Sequence, residues 1–204
     1  HKLKIESVLK GSINSNYAAI LKEDNYEVIK TKITDDFKGR LFEDFKMDTI
    51  YDIKYDLKSP VISYTSDLTI NETMDEIGSM KVFRIPAVNN AYNSGIISDE
   101  KRNFPIEYIF YENADIYKSS YKIILAQDEK FVEVPESASL NYRKHRYNIN
   151  YELVEPNELH IAIEAHTSKE RIDPSEYEAF KSYVKSVLDL KEQLIGYKRL
   201  KQQP

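Results

Sequence analysis

The side chains best suited to chemistry in this sequence fall in two short runs. One is Tyr142-Arg143-Lys144-His145-Arg146-Tyr147, where basic groups stand between two tyrosines. Cations beside aromatic rings suit a phosphate, a glycan or a single-stranded nucleic acid, held by charge and by stacking. Tyr147, Ile149 and Tyr151 then alternate, so that face offers a sugar two rings if exposed and describes a core face equally well. The ligand-binding candidates are Tyr142, Arg143, Lys144, Arg146, Tyr147 and Tyr151, set against the commoner reading of a charged hairpin tip leading into a core strand. The other run is Leu159 to His166. His160, Glu164 and His166 share one parity of a strand, and Leu159, Ile161, Ile163 and Ala165 share the other. At about 3.3 Å per residue, His160 stands roughly 20 Å from His166, too far for one ion to hold all three side chains. We therefore expect a solvated polar face, with no metal site and no cofactor.

No other motif assigns a reaction. The five glycines, Gly11, Gly39, Gly78, Gly95 and Gly196, form no G-x-G or phosphate-loop pattern, and no G-x-S-x-G elbow occurs. Cysteine is absent, which excludes disulfides, thiolate metal ligands and a cysteine nucleophile together. Adjacent acids such as Asp35-Asp36 and Glu43-Asp44 lie among 34 carboxylates, so no acid and base pair stands out. Those acids and 29 basic residues are interspersed, and a net charge of -5 supplies no extended positive field, so nucleic acid is not an expected partner. No run of about 18 apolar residues exists and His1 to Glu6 alternates, so neither a membrane span nor a targeting segment is expected. The chain reads as one that begins inside structure.

The elements that must position these groups are mostly strands. With 16 Tyr, 8 Phe and no Trp, the aromatic mass sits in residues that suit a half-buried pleated surface. Leu3 and Ile5 alternate with Lys2, Lys4 and Glu6, which predicts a strand continuing to about Ile13, with a bend at Gly11. After Asn14-Ser15-Asn16, the set Tyr17, Ile20, Leu21, Val28, Ile29, Ile33 and Phe37 predicts a helix interrupted near Asp24-Asn25 and stopped at Gly39. Strands are expected over about 47–56 and 61–73, separated by Lys58-Ser59-Pro60, and again over Met80 to Ile85. Further short strands are expected at 106–111, 121–125, 131–134, 147–153 and 159–165. Near the end, Asp173 can cap a helix, Pro174 suits its first position, and Glu176 completes a capping box. Tyr177, Phe180, Val184, Val187 and Leu188 then share one face up to about Asp189, and the helix is expected to lie across the sheet. Gln193 to Lys198 supplies a last strand.

A chain of 204 residues with 41% hydrophobic content forms one large domain or two small ones. The expected fold class is α+β, mainly antiparallel β, a sheet or sandwich with a helix in the first half and a C-terminal helix followed by a last strand. Residues 1–86 read as an N-terminal α+β sublobe, 87–103 as a loop or hinge, and 104–204 as a C-terminal β-rich sublobe carrying the closing helix.

The second half carries a resemblance. Arg102-Asn103-Phe104-Pro105, Ile123-Ile124-Leu125, Phe131-Val132-Glu133-Val134-Pro135, a polar hairpin, and Ile172 to Tyr177 before a last strand follow in that order. This arrangement resembles the C-terminal region of transglutaminase-like proteins of Gram-negative bacterial envelopes, over roughly residues 80–199 and more loosely before that. Such proteins carry a papain-like core with a Cys-His-Asp set, and the missing cysteine leaves no position here for the nucleophile. The resemblance implies a non-catalytic accessory or interaction domain of a larger periplasmic or envelope protein. Its partner would be the adjacent domain of the same polypeptide or another protein. A glycan- or surface-binding module using the tyrosine-rich strand faces is the alternative.

Overall fold

The computed structural model describes residues 2–10, 13–23, 25–38, 44–55, 61–70, 74–85, 92–107 and 115–200. In chain order these form β1 (Lys2–Lys10), α1 (Ile13–Leu21), α2 (Tyr26–Phe37), β2 (Phe45–Tyr55), β3 (Val61–Ile70), β4 (Asp75–Ile77) and β5 (Met80–Arg84). A 3-10 turn at Ser94–Ile97 precedes β6 (Ile106–Glu107), β7 (Asp115–Ile124), β8 (Glu129–Glu133), β9 (Ala138–Tyr142), β10 (His145–Glu155) and β11 (Glu158–Thr167). The chain closes with β12 (Arg171–Ile172), a 3-10 turn at Pro174–Glu176, α3 (Tyr177–Lys191) and β13 (Leu194–Arg199). The protein is α+β and mainly antiparallel β, with the expected C-terminal helix and following strand. No described helix is long and apolar enough to cross a membrane.

A seven-stranded sheet in the order β2-β3-β1-β7-β11-β10-β9 dominates the fold, and every pairing in it is antiparallel. Alternation on its central strands β1 and β11 fixes its faces, because a one-residue slip would turn the apolar set outward. Leu3, Ile5, Ser7 and Leu9 of β1 are buried, as are Leu159, Ile161, Ile163 and Ala165 of β11. These residues point to the core, where Ile29, Ile33 and Phe37 of α2 also lie. The break between α1 and α2 has a local cause: Asn25 caps α2, its side chain accepting from the Glu27 amide at 2.9 Å. The expected bend at Gly11, stop at Gly39 and separator at 58–60 lie outside the described residues.

A four-stranded sheet, β4-β5-β13-β8, forms the second layer of strands. Its inner strand β13 brings Gly196 between β5 and β8, where an added Cβ would stand 2.3 Å from Met80 Sδ and 3.2 Å from Glu133 Cβ. A Cβ there would require Met80 to shift. Pairing crosses the segment 87–103 twice, since β1 joins β7 and β5 joins β13. Residues on both sides of it enter one hydrophobic cluster.

The closing helix starts as its sequence predicts. Both reciprocal bonds of the capping box between Asp173 and Glu176 are present, and Pro174 occupies the first turn. Tyr177, Phe180, Tyr183, Val184 and Val187 are buried, and each such side chain contributes about 1.5–3 kcal/mol relative to exposure. The helix packs against β9, the sheet's edge strand, and against the Ser94–Ile97 turn. Strand β9 is only five residues long; Ala138, Leu140 and Tyr142 pack against the core while Ser139 and Asn141 are exposed, a run too short to announce its role as the helix's support.

Candidate functional site

The six candidate ligand residues do not converge. Tyr142 and His145 close the β9–β10 hairpin, with Arg143 and Lys144 in the turn. Alternation then divides the side chains between the two faces. Arg146 is exposed beside His166, whereas Tyr147 is 1% exposed and belongs to the core. A sugar cannot stack on Tyr147, and burial raises its phenol above the usual range. Tyr151 is half-buried, with its phenol pushed up to about 12 by burial. Of the two readings of this face, the core holds, because β10 is pleated with Tyr147 and Ile149 toward the hydrophobic cluster and Tyr151 packed against it.

Arg143 serves the fold. Its φ of 52° lies in the left-handed region that disfavours side chains. The guanidinium donates to the Arg171 carbonyl at 3.2 Å, pairs with the Glu176 carboxylate, and stands 5.8 Å from the centre of the Tyr142 ring. It ties the hairpin turn to the capping box of α3. Lys144 is exposed.

Behind that turn lies a buried polar cluster. His145 is 0% exposed, with Nδ1 3.2 Å from the Tyr92 hydroxyl and Nε2 3.6 Å from Glu170 Oε2. The Tyr183 hydroxyl donates to that of Tyr92, and Lys191 Nζ donates to the Tyr92 carbonyl at 3.0 Å. Burial, aided by His166 and Arg143, lowers the His145 imidazole to about 4, and burial lowers the Lys191 ammonium to about 8. The rings of Tyr142, Phe180 and Tyr183 pack against one another around this cluster.

The opposite face of the large sheet carries a groove among the described residues. Lys4 and Glu6 of β1, Ser120 and Lys122 of β7, His160 and Ala162 of β11, and Asn150 and Glu152 of β10 point away from the core by the same alternation. Together they enclose a shallow groove of about 350 Å³. Its floor is low because Ser120 and Ala162 are neighbours across β7 and β11. Its charges pair laterally: Lys4 lies 3.4 Å from Glu6, and Glu158 lies 2.7 Å from both Lys122 and His160. Hydrogen bonding from Lys122 holds the Glu158 carboxyl below its ordinary range, and a hydrogen bond with Tyr51 raises the Lys4 ammonium.

His160, Glu164 and His166 do share this face, as their parity predicts. Each is engaged by its neighbours in the sheet: His160 with Glu158, Glu164 with Lys118 at 3.2 Å, and His166 in register with Arg146. Among the described residues no three His, Cys, Asp or Glu side chains are placed to hold a metal. Sequence reasoning missed Lys4, Glu6, Ser120, Lys122 and Glu152 as one site. The polar phase of each strand is legible, but the strand order that joins them is not.

No family model, curated protein or solved structure matches the chain.

Proposed function

We propose that this protein is a non-catalytic interaction module that binds through the open face of its seven-stranded sheet. One observation carries the reading: that sheet packs helices and aliphatic residues on one side and presents a polar, grooved surface on the other. An antiparallel sheet with one wet face is ordinary, but a groove spanning four strands adds a concave place for a partner. The missing cysteine removes one class of nucleophile, and the side chains of the groove are engaged mainly in salt links.

The resemblance of the second half to transglutaminase-like envelope proteins makes the adjacent domain of a longer periplasmic polypeptide the proposed partner. Chemistry would then reside in that domain. The test is titration calorimetry of this chain with the neighbouring domain of its reading frame, produced separately. Binding that weakens at least tenfold in an Ala162→Trp variant, which fills the floor of the groove, supports the reading. A reading frame with no papain-like Cys-His domain ends the kinship, and binding indifferent to that substitution ends the role of this face.

A further inference from the structure

We infer that the groove on the open sheet face receives an arginine side chain of the docking partner, held by Glu152. This deepens the interaction reading above and rests on that face being the binding surface. The inference starts from which charges are already used. Lys4 is committed to Glu6, and Lys122 and His160 are committed to Glu158. Glu152, exposed on the β10 wall, has no such link among the described residues. An anionic ligand would have to displace internal carboxylates from both lysines. A cationic one meets a carboxylate that is waiting, in a chain whose net charge is -5.

The shape of the groove narrows the choice. Ser120 and Ala162 stand side by side on adjacent strands and let a flat group lie close to the sheet. On β10 it is Asn150 that stands across from Ala162, and Glu152 lies two residues further along the strand, across from His160 and two strands from Lys122, at a spacing of about 4.8 Å per strand. A guanidinium is planar and weakly hydrated, and it bonds a carboxylate with two parallel N–H donors. The Ser120 hydroxyl supplies a further acceptor on the floor. An ammonium is a compact, strongly hydrated point charge that gains less from a shallow, flat slot.

The test uses the full chain and two capped tripeptides, acetyl-Gly-Arg-Gly-amide and its citrulline counterpart, which keeps the shape and removes the charge. Backbone amide shifts are followed by NMR at low salt. The arginine peptide should shift the amides of Ser120, Asn150, Glu152 and Ala162 and bind at least threefold more tightly than the citrulline peptide. Glu152→Gln should erase that preference, whereas Glu155→Gln, which removes the same charge from an exposed site on the same strand, should preserve it. Equal binding of the two peptides overturns the cationic class. Equal losses in the two variants, or shifts confined to other surfaces, overturn the groove. The neighbouring-domain titration judges the open face separately, so failure here is distinguishable from failure of that reading.

Discussion

His145 Nε2 stands 3.6 Å from Glu170 Oε2 with the imidazole wholly enclosed, so the β9–β10 hairpin carries a titratable group into the interior. Tyr92, Tyr142 and Phe180 surround it, and Arg143 and His166 act with burial against its charged form. Glu170 favours the imidazolium but lies beyond hydrogen-bond length, so burial decides the direction.

The sign of the pH dependence follows. The folded imidazole titrates near 4 and the unfolded one near 6.5, so the unfolded chain takes up the proton first. This contribution to stability is complete above pH 6.5 and is lost as pH falls toward 4. At roughly 1.4 kcal/mol per pKa unit its ceiling is about 3 kcal/mol, and Glu170 reduces it. Urea unfolding at pH 7 and pH 5 should show a drop in stability that shrinks in His145→Gln. An equal drop in both proteins would mean that other groups carry the acid response.

Arg143 predicts an unusual order of substitutions. Its backbone angle favours glycine by about 1 kcal/mol, while its side chain holds Glu176 and the Arg171 carbonyl. Arg143→Ala loses the contacts and keeps the strain, so it should destabilise by about 1 kcal/mol. Arg143→Gly offsets one against the other and should lie close to the parent protein. Thermal melts of the two variants check this, and alanine proving the milder change would refute it.

A side chain at Gly196 would force Met80 to move. Its Cβ would collide with Met80 Sδ at 2.3 Å, so Gly196→Ala should cost about 1–3 kcal/mol through overpacking. Because the nearest atom is the sulfur of a flexible side chain, Met80→Ala should recover part of that loss. A double-mutant cycle measured by denaturant unfolding reads the coupling directly.

The capping box predicts a smaller effect. Asp173→Ala removes the acceptor for the turn's backbone and should cost about 1 kcal/mol, while Asp173→Asn should be nearly silent. The Glu176 carboxylate, which accepts from the Asp173 amide at 3.3 Å, also pairs with Arg143. The losses in Asp173→Ala and Arg143→Ala should therefore fail to add, and additivity within about 0.3 kcal/mol would separate the two interactions.

What could be read from the sequence was local. Leu3 to Leu9 and Leu159 to Ala165 declare strands by alternation, Asn25 divides two helices by capping, and Asp173-Pro174-Ser175-Glu176 starts α3, because each signal acts between residues a few positions apart. The parity of His160, Glu164 and His166 was legible for the same reason, although Lys118, which pairs with Glu164, and Arg146, in register with His166, stand on β7 and β10. Tyr147 and Tyr151 were ambiguous between platform and core, since alternation distinguishes two faces without saying which one is wet.

Only the tertiary structure could decide that. The placement of β1 between β3 and β7, and of β11 between β7 and β10, depends on burying the apolar phase of every strand at once against helices and a second sheet. That long-range packing sent Tyr147 and His145 inward, gave β9 to the closing helix, and brought Lys4, Ser120, Glu152 and His160 from four strands to one groove. Periodicity along one strand is a property of a few covalent neighbours, whereas a site built across strands exists only once their order and register are set.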